Sequence, residues 1–100
     1  MHYELVLHPK VKKDFKKLSK AQIELVFKQF KKLEISPELG DLLGNKSTYY
    51  LEGCRKLYVD KKKIRIVYRI VETEIIVEVI VVGKRDDMAV YKEANSRIND

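Results

Sequence analysis

The spacing of apolar side chains in the first third of the chain is typical of a short strand followed by helices. Tyr3–Leu7 is suited to a strand, and Pro9 is suited to the first turn of a helix, where its missing N–H group is not needed. Val11, Phe15 and Leu18 stand at positions i, i+4 and i+7, which places them on one helical face. We therefore predict a first helix that begins near Pro9.

A second apolar stripe predicts a second helix beside the first. Ser19 is suited to cap its N-terminus, and Ser36 before Pro37 ends it, because the residue before a proline avoids the α region. The stripe consists of Ile23, Val26, Phe27, Phe30 and Leu33. The short connection predicts an antiparallel helical hairpin over residues 9–35, lying on a sheet.

Three strands are predicted in the second half of the chain. They are Arg55–Val59, Ile64–Val71 and Glu74–Val82, with a charged turn at residues 60–63 and a hairpin turn at residues 72–73. Alternation along the middle strand places Ile64, Ile66, Tyr68 and Ile70 on the face beneath the helices and Arg65, Val67 and Arg69 on the other.

The hairpin turn also predicts a register. Arg65 should lie opposite Ile80 and Arg69 opposite Ile76, with the glutamates at 74 and 78 diagonal to Arg69. We therefore assign Arg69 to a surface ion pair. Arg65 has no acidic neighbour in that register, so we expect it to be the cation more accessible to a ligand.

Residues 36–53 show no clear period. Glycines at 40, 44 and 53 indicate turns, and residues 45–48 indicate a polar loop. We expect Leu39, Leu42 and Leu43 to pack under the edge of the sheet.

The chain ends in a predicted helix. Asp86 or Asp87 is suited to cap it, and Val90, Ala94 and Ile98 form a narrow stripe, with Tyr91 at its margin. The predicted order is βααβββα. This is an α+β fold with a mainly antiparallel sheet, one parallel edge pairing by the first strand, and a single domain over residues 1–100.

The net charge of +6 is concentrated in two basic segments. Residues 9–34 hold nine lysines, and residues 53–69 hold seven cationic side chains against Asp60 alone. Two basic patches on a small domain point to a polyanion, most simply nucleic acid. For the first segment, an ordinary solvated helical surface explains the lysines equally well.

Cysteine and histidine usage predicts neither a cofactor nor a metal site. Cys54 is the single cysteine, and His2 and His8 have no spacing that suits a metal ion. We expect no signal peptide, because the longest apolar run near the N-terminus is short, and no apolar run approaches the roughly 20 residues of a membrane span. We therefore expect a cytoplasmic protein with no membrane partner.

The basic strands and the turn before the last helix are suited to cleaving RNA without a metal. A 2′-hydroxyl can attack the adjacent phosphorus if its proton is removed and fixed cations hold the growing charge. Arg65 and Arg85 are the candidate cations, with Lys56 or Lys84 adding to the field, and Tyr91 is the candidate phenol. A tyrosine at a helix margin is also a common packing residue.

Four segments together resemble the RelE branch of the RelE/ParE toxin superfamily. They are Gly53-Cys-Arg-Lys-Leu-Tyr, Ile64-Arg-Ile-Val-Tyr, Val82-Gly-Lys-Arg and Val90-Tyr-Lys-Glu-Ala. The resemblance covers nearly the whole chain. It implies a toxin that cleaves mRNA in the ribosomal A site and inhibits translation, and a cognate antitoxin that inactivates it.

The resemblance also implies roles for individual residues. Arg65 and Arg85 would stabilise or protonate the phosphate, and Tyr91 would orient or deprotonate the 2′-hydroxyl and stack on a base. RNA binding would fall to Arg55, Lys56, Lys61, Lys62, Lys63 and Lys84. Strand alternation puts Lys84 rather than Arg85 on the face of Arg65, and we follow the family pattern because Gly83 can break the alternation.

The sequence departs from the family pattern at one strand position and leaves other functions open. Tyr58 stands where the family has a second strand lysine, so the site has one cation fewer unless Lys61–Lys63 substitute. The alternatives are a ParE-like toxin that inhibits DNA gyrase by protein contact, and a non-catalytic RNA-binding member. The first alternative gives no reason for Arg65, Arg85 and Tyr91 to occur together.

Overall fold

A sheet with helices on both faces organises the residues that the structure describes. The structure is a computed structural model that describes residues 2–46, 49–84 and 89–99. Within them the elements are β1 (Glu4–Leu7), α1 (Val11–Phe15), α2 (Lys20–Ile35), β2 (Asp41–Lys46), β3 (Tyr49–Val59), β4 (Ile64–Val71), β5 (Ile76–Lys84) and α3 (Ala89–Ile98). The strand order is β1-β5-β4-β3-β2, with β1 parallel to β5 and the other neighbours antiparallel. The predicted α+β fold and parallel edge pairing are confirmed.

The helical hairpin forms where the apolar stripes predict it. Ser19 caps α2 through a capping box: its hydroxyl accepts the Gln22 N–H at 3.1 Å, and the Gln22 side chain accepts the Ser19 N–H at 3.0 Å. The first helix is shorter than predicted and begins at Val11, yet Val11 and Leu18 are buried as expected. No helix within the described ranges has the length and apolar content that crossing a membrane requires.

The segment before β3 contains a strand that we did not predict. β2 pairs antiparallel with β3, which begins at Tyr49 rather than at Arg55. Leu43 is buried as expected, but Leu39 and Leu42 are 47% and 65% exposed. Their predicted packing under the sheet is therefore wrong. An irregularity between Leu42 and Gly44, where Gly44 adopts φ +68°, interrupts the alternation that would have marked the strand.

Tyr68 holds the turn that leads into β2. Its hydroxyl donates to the Pro37 carbonyl at 2.7 Å and accepts the Gly40 N–H at 2.8 Å. A Cβ atom at Gly40 would lie 2.5 Å from the Lys56 carbonyl oxygen, so only glycine fits this close approach. The turn therefore stays pressed against the sheet.

Two apolar cores lie on opposite faces of the sheet. Ile64, Ile66 and Tyr68 pack under α1 and α2, as predicted. Val67 packs on the other face against Val90, Tyr91 and Ala94 of α3 and their neighbours. Because side chains alternate along β4, Arg65 lies on the α3 face, beside Val67.

The register of the β4–β5 hairpin differs from the prediction. A 3₁₀ turn at Glu72–Glu74 is followed by Ile75 in the left-handed region, with φ 54°, so that Val71 pairs with Ile76. Arg69 therefore lies opposite Glu78, and its Nε donates to the Glu78 carboxylate at 2.5 Å. The predicted surface ion pair of Arg69 is confirmed, with Glu78 directly opposite rather than diagonal.

A bulge in β5 changes the register again and corrects the predicted position of Arg65. Tyr68 pairs with Val79 but Val67 pairs with Val81, so Ile80 is an extra residue in β5. Ile80 and Val81 both pack on the α3 side. Arg65 consequently lies opposite Gly83 rather than Ile80.

The bulge also decides the side on which Lys84 lies, and that side agrees with the family pattern rather than with simple strand alternation. Lys84 pairs with Ile64 and therefore shares the face of α1 and α2, away from Arg65. Simple alternation fails here, as expected, but the break occurs at Ile80, three residues before the predicted position at Gly83. Arg85, together with the predicted caps Asp86 and Asp87, lies outside the described residues.

A buried ion pair spans the bulge and links two helices to it. Arg97 of α3 donates through Nη1 and Nη2 to the two carboxylate oxygens of Asp14 of α1, each at 2.8 Å. Arg97 Nη1 also donates to the Ile80 carbonyl at 2.9 Å, and the Val82 N–H donates to Asp14 at 3.0 Å. Asp14 and Arg97 are 9% and 7% exposed. Backbone groups next to the bulge thus obtain partners from the ion pair.

Asp14→Asn tests this ion pair. Removing the Asp14 charge leaves the buried Arg97 with the partly exposed Glu93, at 2.9 Å, as its remaining ion-pair partner among the described residues, so the free energy of unfolding should fall by about 3 kcal/mol. Arg69→Ala is the control, because loss of its partly exposed pair with Glu78 should change stability by about 0–1 kcal/mol. Urea denaturation of both variants measures the difference. Equal effects would show that the buried pair is not a principal stabilising contact.

Candidate active site

Arg65 occupies the centre of a cluster on the α3 face of the sheet. Arg65 is 5% exposed whereas the Arg69 side chain is 42% exposed, so the expectation that Arg65 is the more accessible of the two cations is wrong. The Arg65 guanidinium carbon lies 4.5 Å from the centroid of the Tyr91 ring and 5.3 Å from that of Tyr58. A planar guanidinium packs well on aromatic faces, which attract its positive charge. The two rings therefore fix the position of a permanent cation.

Tyr58 joins Arg65 to a second cation. Tyr58 and Arg65 are directly opposite in the β3–β4 ladder, and Lys56 precedes Tyr58 by two residues on the same face of β3. The Tyr58 hydroxyl accepts hydrogen bonds from Lys56 Nζ at 3.1 Å and from Arg65 Nη2 at 3.3 Å. Lys62 Nζ lies 5.8 Å from the centroid of the same ring. We call Lys56, Tyr58, Arg65 and Tyr91 the cationic cluster.

The neighbouring cations alter the acidity of Tyr58. Hydrogen bonds donated by Lys56 and then by Arg65 lower the pKa of the Tyr58 phenol from its usual 10 to about 8, because both donors stabilise the phenolate. Desolvation opposes this change without cancelling it. Ionisation of Tyr58 is therefore accessible at mildly alkaline pH.

The structure brings together two of the three predicted catalytic residues. Arg65 and Tyr91 are in contact, whereas Arg85 lies outside the described residues. Tyr91 is only 4% exposed and packs in the core beneath α3. In this conformation its ring supports Arg65 and is not available to stack on a base.

The predicted RNA-binding residues are divided between the two faces of the sheet. Lys56 belongs to the cationic cluster, and Lys61, Lys62 and Lys63 are exposed in the adjoining turn. Arg55 points to the other face, where its Nη1 donates to the Gly40 carbonyl at 2.7 Å. Lys84 is exposed and also lies on that other face.

The lysine turn is held in an unusual backbone conformation. Asp60, Lys61 and Lys62 have φ angles of 56°, 53° and 71°, a left-handed run that disfavours residues other than glycine. The Gln22 side-chain amide of α2 donates to the Asp60 carboxylate at 3.0 Å, which fixes one end of the turn. The exposed lysines therefore project from a defined loop at the end of β3.

Sequence reasoning overlooked Tyr58 as a functional residue. We treated it as the loss of a cation, but the structure makes it the acceptor that links Lys56 to Arg65. The signal was present in the pattern: positions 56 and 58 share one strand face, and the predicted turn at residues 60–63 brings position 65 close to them.

A tyrosinate titration tests the electrostatics of the cationic cluster. Ultraviolet absorbance should show one tyrosine ionising near pH 8, and this transition should be missing in Tyr58→Phe. Lys56→Met should move the midpoint upwards, because the Lys56 hydrogen bond contributes most to lowering the pKa. Lys28→Met, on the exposed surface of α2, is the control. The same midpoint in Lys56→Met and wild type would contradict the observed contact.

Comparison with known proteins shows the family. A family model described as the ParE toxin of the type II toxin–antitoxin system parDE matches residues 5–89. The mRNA interferase toxin RelE of Escherichia coli strain K12 is 31% identical over 100 residues, covering 98% of this chain and 99% of the relative.

Solved structures agree with these sequence matches. A mutant of the E. coli toxin RelE in the free state is similar with a TM-score of 0.78 and 30% identity, covering 98% of this chain and 99% of that chain. A chain of the intact E. coli RelBE toxin–antitoxin complex has a TM-score of 0.69 and 26% identity, covering 84% of this chain and 98% of its own. The chain therefore belongs to the RelE/ParE superfamily of type II toxins, in its RelE-like branch.

Proposed function

We propose that this protein is the toxin of a type II toxin–antitoxin system and that it is an endoribonuclease that cleaves mRNA in the ribosomal A site. The observation that carries the proposal is the cationic cluster, in which Lys56 and Arg65 surround a phenol at the surface of the sheet. Its relative RelE of E. coli, matched over nearly its full length, is named as an mRNA interferase. Cleavage of mRNA would inhibit translation.

The cluster is suited to attack by the 2′-hydroxyl on the adjacent phosphorus. Negative charge grows on the phosphoryl oxygens in the transition state, and a cation that is already fixed in place stabilises it without reorganisation. Arg65 meets this requirement because two rings and the strand ladder hold it. We propose Arg85 as the second phosphate-binding cation, on the family pattern, and Tyr91 as the residue whose ring supports Arg65.

An RNA strand would approach the cluster along the lysine turn. Lys56 and Lys61–Lys63 lie on or beside the face that carries Arg65, and phosphate contacts from such lysines position a strand without reading its sequence. Arg55 and Lys84 lie across the sheet and are not part of this path. The ribosome would hold the mRNA so that the reacting phosphate lies against the cationic cluster, because the toxin has too few contacts to position the mRNA alone.

The protein partner would be a cognate antitoxin. The E. coli relative has been solved as a RelBE toxin–antitoxin complex. An acidic or amphipathic antitoxin segment that covers residues 53–69 would neutralise the cationic cluster. A segment that displaced α3 would have to break the buried pair of Asp14 and Arg97. We also propose that residues 1–100 form one domain and that the protein acts in the cytoplasm, where its ribosomal substrate is found.

A second candidate function comes from the family model itself, which is described by its ParE members and matches residues 5–89. A ParE-like toxin would inhibit DNA gyrase by protein contact. Such a protein would not need the cationic cluster to act on phosphate, so substitutions that preserve the fold should leave its inhibition intact. Supercoiling assays distinguish it from an endoribonuclease.

Substitution of the phosphate-binding cations tests the endoribonuclease. Loss of one fixed donor typically lowers the rate about 100-fold or more, so Arg85→Ala and Arg65→Lys should each lose most mRNA cleavage. Arg65→Lys keeps the charge but removes the planar fork that packs between the two rings. Primer extension on ribosome-bound mRNA gives the cleavage rate.

Arg69→Ala is the matched control, because Arg69 is paired with Glu78 at the far end of the same strand. It should retain most of the cleavage activity while Arg85→Ala and Arg65→Lys lose theirs. Full cleavage by both of those variants would remove the site assignment. A wild type that spares ribosome-bound mRNA but inhibits gyrase would establish the ParE-like function instead.

A further inference from the structure

On the premise of the endoribonuclease function above, we propose that the Tyr58 phenolate is the base that takes the proton from the attacking 2′-hydroxyl, and that the Lys56 ammonium gives a proton to the leaving 5′-oxygen. The family pattern places a lysine at position 58, so this chain would perform the proton transfer with a different chemical group. Tyr91, the phenol that the resemblance implies, would then act through its ring alone.

Exposure separates the two phenols. A base must come within hydrogen-bonding distance of the proton that it removes. Tyr91 is 4% exposed beneath α3, with its ring against Arg65. Tyr58 is only half-buried, at the surface of β3. A ribose hydroxyl can therefore approach Tyr58 without any movement of α3.

The protonation state of Tyr58 suits this role. Two cationic donors reach its hydroxyl at 3.1 and 3.3 Å, and both favour the ionised form. With a pKa of about 8, about a tenth of the molecules carry the phenolate at pH 7. A base is most effective when its pKa lies near the working pH, since it is then both available and strong enough.

The spacing of Lys56 and Tyr58 suits an in-line displacement. The attacking and leaving oxygens lie on opposite sides of the phosphorus, so the proton acceptor and the proton donor must each reach a different one of these two oxygens. Tyr58 Oη and Lys56 Nζ are 3.1 Å apart, so a phosphodiester lying across them would present one of these oxygens to each. Arg65 is 5% exposed, but its Nη2 lies 3.3 Å from the Tyr58 hydroxyl, so its fixed charge stabilises the phosphoryl oxygens through its electrostatic field. The three groups thus cover the three tasks of the reaction.

The step balances without an added reactant. The 2′-oxygen forms a bond to phosphorus as its proton passes to Tyr58 Oη. The bond from phosphorus to the 5′-oxygen breaks, and that oxygen leaves with the electron pair and takes a proton from Lys56. The products are a 2′,3′-cyclic phosphate and a 5′-hydroxyl. The proton on Tyr58 then passes to the neutral Lys56 amine through their hydrogen bond, which restores both groups.

A purely structural role for Tyr58 would use the same contacts. In that case the hydroxyl would only hold Lys56 and Arg65 in position. Its removal would then lower the rate equally at every pH. A base, in contrast, gives the rate a dependence on pH that disappears together with the hydroxyl.

The test is the pH dependence of single-turnover mRNA cleavage on programmed ribosomes. For the wild type, the rate should rise with pH through a midpoint near pH 8, where half of the Tyr58 side chains are ionised, and level off at higher pH. Tyr58→Phe should lose this rise and cleave about 100-fold or more slowly, the usual contribution of a general base. Tyr91→Phe should keep the rise in rate with pH.

A fluorinated tyrosine at position 58 keeps the shape of the side chain and lowers the pKa of its phenol. The midpoint of the rate profile should move to lower pH by the same amount as the absorbance midpoint of the phenol. Tyr3→Phe is the matched control, because the Tyr3 hydroxyl donates to Glu72 at 3.1 Å, away from the cationic cluster. It should change neither the rate nor its midpoint.

The outcomes separate the two proposals. If the wild type does not cleave ribosome-bound mRNA, the proposed function fails and the base assignment fails with it. If the wild type cleaves but Tyr58→Phe keeps the rise in rate with pH, the base assignment alone is overturned. The base assignment is also overturned if the fluorinated variant shifts the absorbance midpoint of the phenol but leaves the midpoint of the rate profile unchanged.

Discussion

The buried pair of Asp14 and Arg97 is the interaction on which the rest of the structure depends. It joins α1 on one face of the sheet to α3 on the other, and both helices meet at the bulge in β5. Two buried charges are costly unless they are paired and fully hydrogen-bonded. Here the Ile80 carbonyl and the Val82 N–H form further hydrogen bonds with the pair. The buried charges therefore gain polar partners, and so do the backbone groups beside the bulge.

The bulge determines which residues can meet at the cationic cluster. It brings Gly83 opposite Arg65, and the helix that follows brings Tyr91 onto the Arg65 guanidinium. A side chain at position 83 would approach Val90 to 3.2 Å, so glycine keeps α3 close to the strand. The same contacts that stabilise α3 therefore hold Arg65 in place, and stability and activity should be linked at this end of the sheet.

The sequence pattern predicted the faces of the elements better than their register. Alternation identified Ile64, Ile66 and Tyr68 as core residues because burial on one face of a strand requires a period of two. It could not locate the hairpin turn, because Ile75 adopts a left-handed conformation that is rare for a β-branched residue. Nor could it reveal the bulge, since a run of valine and isoleucine fits either register. Tyr58 was missed because its role depends on contacts from two cations, which composition alone does not show.

Attack by a 2′-hydroxyl at the cationic cluster is the central claim, and the chemistry of the cut ends tests it most directly. Ribosomes programmed with mRNA should yield an upstream fragment that ends in a 2′,3′-cyclic phosphate and a downstream fragment that begins with a 5′-hydroxyl. A single 2′-O-methyl group on the nucleotide before the cut should abolish cleavage there, because it removes the attacking group. Cleavage that persists at this methylated position, or fragments that begin with a 5′-phosphate, would contradict the account.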